Sequence, residues 1–192
     1  MNNFELFTHY RNGRRDFSNL SLKNLEFSNI VLNKTNFRNT NFTQANLHGV
    51  VLNSCDMTSS HFCSATISET DFWKSILKFA DFSSANLRQV GFIASDLKKS
   101  VFTDSIIQVS FFERANLEKS SLINSIIASS NFQDANLFSV NLQRSQLIHC
   151  NLRGANLNKA NLRGVILDNT DLSEAFLEDA ILPDGSIYGL ES

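Results

Sequence analysis

The chain has 192 residues, with 17 Lys or Arg, 19 Asp or Glu and a formal net charge of −2. That length suits a single domain, and a charge so close to neutral points away from nucleic-acid binding and from a strongly acidic mimic of nucleic acid. No stretch reaches the roughly 18 consecutive apolar residues of a membrane span, so no membrane partner is expected.

Residues 1–14 stand apart from the rest of the chain. Phe4, Phe7 and Tyr10, with Leu6, recur at helical spacing, and Gly13 comes where a helix would stop. The spacing predicts a short amphipathic helix. The first residues, Met1-Asn2-Asn3-Phe4-Glu5, lack the basic and apolar regions of a signal peptide. Of three cysteines, Cys55 and Cys150 take inward small positions nearly five coils apart and cannot bridge each other, and Cys63 points outward, so reduced thiols in a cytoplasmic protein are the expectation.

From Phe17 to Leu182 every fifth residue is large and apolar: 34 consecutive positions hold 19 Leu, 11 Phe, 3 Ile and Met57. Two residues before each centre sits a second set, which from Thr35 to Ala180 contains only Ala, Ser, Thr, Cys or Val. Asn or Asp often lies between the two, as in Ala45-Asn46-Leu47 and Ala155-Asn156-Leu157. A period of five fits neither regular element. On a helix, five steps of about 100° scatter the centres around the axis, and on a strand of period two each centre would change face. Turning the chain about a right angle every five residues keeps all the centres inside. Four pentapeptides then close a square coil of 20 residues, and coils stack at the strand spacing of about 4.8 Å. The small residues fill what space the large ones leave.

This A(N/D)LXX pattern resembles the pentapeptide-repeat family across residues 15–184. The ends, Tyr10-Arg11-Asn12-Gly13-Arg14-Arg15-Asp16-Phe17 and Ala180-Ile181-Leu182-Pro183-Asp184-Gly185-Ser186-Ile187, are similar to its cyanobacterial branch. The resemblance implies an all-β fold, a right-handed quadrilateral parallel β-helix of about eight coils. Residues 1–14 then become a helix capping the first coil. Residues 185–192 become a tail that covers the last coil through Ile187, Tyr188 and Leu190, or that pairs two subunits end to end; a monomer is the favoured reading. Grouping the centres by 20 predicts two facing Phe ladders at the waist: Phe42, Phe62, Phe82 and Phe102 on one side, Phe72, Phe92, Phe112 and Phe132 on the other.

An enzyme needs polar groups converging in a concavity, and a square prism presents flat faces. No phosphate loop or nucleophile motif occurs, so no catalytic residue, cofactor or metal is assigned. The one cluster that could bridge a divalent ion is His61, Cys63 and Asp81, and a flat face offers it no fourth ligand. The outward positions say more. Ile106, Val109, Ile126, Ile148 and Ile166 gather on the face centred at Ile107, Ile127, Leu147 and Leu167, with Ile106, Ile126 and Ile166 standing where Asn or Asp is usual. They read either as a contact surface for a protein partner or as ladder neighbours packing on one another. Trp73, Ile93 and Phe111, with Ile76 and Phe79 nearby, form a second candidate surface. The functional expectation is a non-catalytic scaffold that docks a protein. The alternative, carried by the resemblance to the quinolone-resistance branch, is a DNA mimic that binds DNA gyrase or another type II topoisomerase. The nearest acidic grouping for that role, Asp168, Asp171, Glu174, Glu178 and Asp179, is spread over three faces.

Overall fold

The computed structural model describes residues 2–189. It is a quadrilateral parallel β-helix preceded by one helix, α1 (Asn3–Arg11). The sequence pattern explains the tube directly. The centre residues from Phe17 to Leu162 are all buried, and so are the small residues from Thr35 to Val165. At about 25 cal/mol per Å² of apolar surface removed from water, each buried Leu or Phe contributes about 1.5–3 kcal/mol, which is why an unbroken register of centres can specify the fold.

Four faces repeat in order. The first is centred on Phe17 and every twentieth residue after it, the second on Leu22, the third on Phe27 and the fourth on Leu32. Coils pair in parallel register with a shift of 20: Asp16 bridges Asn36, Ser21 bridges Asn41 and Val31 bridges Val51. On the third face the bridges lengthen into strands: β1 (Glu26–Ser28), β2 (Asn46–His48), β3 (Thr66–Ser68), β4 (Asn86–Arg88), β5 (Ile106–Gln108), β6 (Ile126–Ala128), β7 (Gln146–Ile148) and β8 (Ile166–Asp168). These pair in sequence order as one parallel sheet.

The turns account for this difference between faces. On the other three faces most centre carbonyls accept a hydrogen bond from the amide three residues on, as at Thr40 to Phe37, Ala45 to Phe42 and Ser95 to Phe92. None closes the turns after Leu47, Ile67 or Leu87, and the backbone there stays extended. At every corner, from Asn19 to Asp179, the second residue after the centre is left-handed, with φ from +46° at Asn169 to +70° at Gly164. Asn, Asp, Ser and Lys fill most of these corners. Val109, at φ +52°, is β-branched and therefore strained there.

Asn and Asp before the centre have a defined task on the turn faces. The Asn36 side chain accepts from the Arg38 amide at 3.0 Å, that of Asp71 from the Trp73 amide at 3.0 Å and that of Asn136 from the Phe138 amide at 3.2 Å. These side chains satisfy an amide that the turn would leave open. Inside, small hydroxyl and thiol groups donate to carbonyls of the previous coil: Thr40 to Phe17, Thr70 to Leu47, Ser75 to Leu52 and Cys55 to Leu32.

The two Phe ladders form as the register requires. Phe42, Phe62, Phe82 and Phe102 stack with centroids 4.9, 4.7 and 4.7 Å apart. Phe72, Phe92, Phe112 and Phe132 stack at 5.1, 4.8 and 4.5 Å. Edge-on contacts such as Phe82–Phe92 at 5.8 Å knit the ladders together.

The ends differ. Helix α1 begins with a capping box: the Asn2 side chain accepts from the Glu5 amide and the Glu5 carboxylate from the Asn2 amide. Leu6 is its buried residue, whereas Phe4 is 80% exposed, so the helix rests on Leu6, Phe7 and Tyr10. Asn3 Nδ2 donates to the Glu26 carbonyl and the Tyr10 hydroxyl to that of Asn33, tying the helix to the first coil, whose large Leu20, Leu25 and Ile30 pack against the core. At the other end, the described part of the tail folds back antiparallel: Ile187 bridges Ile181, and the Leu182 amide donates to the Ser186 carbonyl. Ile187 and Tyr188 lie on the surface, while Leu167 is 38% exposed and Leu172, Leu177 and Leu182 half-buried. Leu190 lies outside the described residues.

Candidate partner-binding surfaces

The expected apolar group on the third face is built on strands. Ile106 pairs directly with Ile126, and each is more than a third exposed. Gln146 then occupies the column, separating Ile126 from Ile166. Ile148 is half-buried, and Val109 sits at the corner of its own coil. The five residues therefore share a face without forming one continuous strip. On this face Asn46 and Asn86, at the same position as Ile106, make no hydrogen bond to the amide two residues on. The extended backbone does not present that amide to them, so an Ile here gives up nothing and gains cross-strand contact.

The second group is on turn faces. Trp73 and Ile93 occupy the same position in successive coils of the fourth face. Phe111 follows one coil below Gly91, Ile76 lies on the adjoining first face, and Phe79 stands at the corner where the first face meets the second. All five are exposed, from 37% at Ile93 to 52% at Phe79. Ile76 and Phe111 stand where Asn or Asp would serve the turn amide, so each forgoes a hydrogen bond worth about 0.5–1.5 kcal/mol net. They span coils that sit over the rigid Phe waist. Large apolar side chains held on an unyielding base are the usual anchors of protein interfaces. Lys74 Nζ lies 4.2 Å from the centre of the Trp73 ring and Lys99 Nζ 5.5 Å from that of Phe79.

His61, Cys63 and Asp81 are neighbours: His61 bridges Asp81 across the coils, and the Cys63 thiol donates to Asp81 Oδ2 at 3.1 Å. Burial, aided by that hydrogen bond and the carboxylate's charge, pushes the thiol up to about 11, which favours its protonated form at neutral pH. Burial pushes the Asp81 carboxyl up, but hydrogen bonds from Ser83 and Cys63 and the nearby His61 outweigh it, and its net shift is downward. Among the described residues no three His, Cys, Asp or Glu side chains are placed to hold a metal ion. A cleft of about 500 Å³ opens beside the last coil, lined by Phe176, Leu177, Glu178, Asp179 and Tyr188. Acidic residues accumulate at this end: Asp168, Asp171, Glu174, Glu178, Asp179 and Asp184, against Arg153, Lys159 and Arg163. Among the described residues, no helix is long and apolar enough to cross a membrane.

Comparison with known proteins agrees with this architecture. The pentapeptide-repeat family, described as eight copies of the repeat, matches residues 21–58, 112–144 and 145–182, and a related pentapeptide repeat region matches residues 45–122. No curated protein matches the chain in sequence. Among solved structures, HetL, a pentapeptide repeat protein involved in heterocyst differentiation regulation in the cyanobacterium Nostoc sp. strain PCC 7120, is 23% identical. It aligns over 98% of this chain and 100% of its own with a TM-score of 0.53. Full-length QnrB1, a plasmid-mediated fluoroquinolone resistance protein, is 13% identical over 81% of this chain and 92% of its own, at a TM-score of 0.30. Rfr23 of the cyanobacterium Cyanothece 51142 is 17% identical over 90% and 98%, at 0.28. With its repeats matched over more than half the chain and its coils closed in the register those repeats dictate, the chain belongs to the pentapeptide-repeat family.

Proposed function

We propose that this chain is a non-catalytic docking rod that holds a protein partner against its first face and the adjoining part of the fourth, around Trp73. One observation carries the reading: five large apolar side chains, Trp73, Ile76, Phe79, Ile93 and Phe111, lie exposed on successive coils and adjoining faces, two of them at positions that Asn or Asp fills in many other coils. Exposed clusters of this kind mark interaction sites on soluble proteins. The Ile106 face is the weaker candidate, because strand packing explains its residues without a partner.

The test passes source-cell lysate over immobilised wild type and two variants whose folding is checked by circular dichroism. One variant carries Trp73→Ala, Phe79→Ser and Phe111→Asn; the other carries Ile106→Asp, Ile126→Asp and Ile166→Asp. A partner kept by the second variant and lost by the first supports the Trp73 corner. The reverse pattern moves the site to the strand face and sinks this assignment.

The acidic C-terminal end supports a second reading, a DNA mimic for a type II topoisomerase. Asp171 and Glu174 there are partly offset by Arg153, which pairs with Glu174 at 2.7 Å, and Lys78, Lys98, Lys99 and Lys119 interrupt any acidic surface along the first face. A DNA gyrase supercoiling assay separates the readings. Inhibition by wild type that is lost on neutralising Asp171, Glu178 and Asp179 would establish the mimic; unchanged supercoiling removes it.

A further inference from the structure

The charges around Trp73 specify what kind of segment fits there. The carboxylates nearby are ion-paired or hydrogen-bonded, except that Glu113 Oε2 is buried without a partner. Asp96 Oδ2 takes Lys78 at 3.1 Å, and Glu118 takes Lys98 at 2.8 Å and Lys119 at 3.5 Å. Asp71 holds the Trp73 amide, and Glu113 Oε1 accepts from Asn131 Nδ2 at 2.7 Å. Three cations are left over. Among the described residues, Lys74, Lys99 and Arg114 have no carboxylate within 4.0 Å. Two of them lie over the exposed rings of the cluster, Lys74 on Trp73 and Lys99 on Phe79, and Arg114 sits at the corner one coil below Ala94, beside the Ile93 column. A chain with a net charge of −2 thus presents a locally cationic, aromatic surface.

Resting on the docking role proposed above, we infer that the Trp73 corner recognises an acidic protein segment, one in which carboxylates alternate with large apolar side chains. The apolar side chains take the Trp73–Ile93 column. The carboxylates take the ammonium groups of Lys74 and Lys99, which the rings already hold in place, so little side-chain freedom is lost on binding. Complementary charge of this kind sets partner choice and register more than raw affinity. A nucleic-acid strand fits less well. Tracking a phosphate backbone needs a longer row of cations, and here Lys78, Lys98 and Lys119 are already paired, which leaves three.

Trp73 is the only tryptophan of the chain and is 41% exposed, so its emission reads occupancy of the corner directly. The full chain is titrated with a short peptide of alternating Glu and Leu, with its Gln–Leu and Lys–Leu counterparts, and with oligothymidylate. The expected result is a blue shift of Trp73 and protection from acrylamide with the Glu–Leu peptide alone. Binding should weaken about tenfold in the Lys74→Gln, Lys99→Gln double variant, weaken as NaCl rises from about 0.05 to 0.3 M, and remain unchanged in Ile106→Asp, Ile126→Asp. A Gln–Leu peptide that binds equally well, or a preference for the Lys–Leu peptide, overturns the acidic specificity while leaving a docking corner in place. Tighter binding of oligothymidylate replaces the protein segment by a nucleic acid. No shift with any probe, in a protein whose circular dichroism is intact, overturns the inference, and the lysate experiment then decides separately whether the corner docks a protein at all.

Discussion

Two surfaces of this rod carry exposed apolar residues at equivalent places in the repeat, and they mean different things. On the third face, Ile106 and Ile126 project from strands whose extended backbone asks nothing of the residue before the centre, and they pack along the ladder. On the fourth and first faces, Phe111 and Ile76 project from turns in which an Asn or Asp at that position, where present, satisfies an amide, as Asp71 does for Trp73. The same substitution of Asn by an apolar residue is structurally inexpensive in one place and costly in the other. A side chain kept at a stabilising position's expense is the better sign of function.

The contrast can be broken or sharpened by experiment. The largest effect should come from beneath both surfaces. Phe92 stacks on Phe72 and Phe112 and meets Phe82 and Phe102 edge-on, so Phe92→Ala should cost about 3–5 kcal/mol in a thermal or denaturant melt. An unshifted midpoint would show that the waist is not the base on which the Trp73 corner rests.

The buried thiol of Cys55, at the inner side of that same corner, gives a pH-dependent handle. Burial raises it from 9.0 to about 11. The folded protein therefore keeps a proton that the unfolded chain releases. This contribution to stability is complete below pH 9 and is lost as pH rises toward 11, amounting to about 2 kcal/mol. Cys55→Ser should flatten the alkaline limb of the melting profile; a limb of the same slope in both proteins assigns it to other groups.

The paired replacements compare the two surfaces themselves. Changing Ile106 and Ile126 to Asn should destabilise by about 1 kcal/mol, through lost cross-strand contact. Phe111→Asn should stabilise by about 1 kcal/mol, because Asn can accept from the Glu113 amide, while abolishing partner capture. Equal signs for the two replacements would erase the distinction between the faces. The smallest effect concerns strain alone. Val109→Asn, at a left-handed corner with φ +52°, should raise stability by about 0.5–1 kcal/mol, and calorimetry showing a loss would mean that Val109 packs against something other than solvent.

Much of this architecture is legible along the chain. A five-residue period admits one way of keeping all the centres inside, so coil size, register and the Phe ladders follow from the spacing of Phe42, Phe62 and Phe72. The helix at residues 3–11 is legible too, from the spacing of Phe4, Phe7 and Tyr10. That spacing does not distinguish Leu6, which the first coil buries, from Phe4, which it leaves in solvent. The backbone difference between faces is not legible, because the same pentapeptide letters serve an extended strand at Asn46 and a hydrogen-bonded turn at Asn36. For the same reason the letters group Ile106, Ile126 and Ile166 together, whereas the pairing of neighbouring strands sets Gln146 between the last two.

The sequence by itself determined the square coil, the inward and outward positions and the near-neutral charge, since these depend only on period and composition. The tertiary structure decided which turns close, which outward residues are packed and which unsupported, and that Lys74 and Lys99 lie over rings while their neighbours are ion-paired. Those outcomes depend on contacts between residues about 20 apart, where stacking of one coil on the next sets each side chain's partners, and no local pattern fixes them.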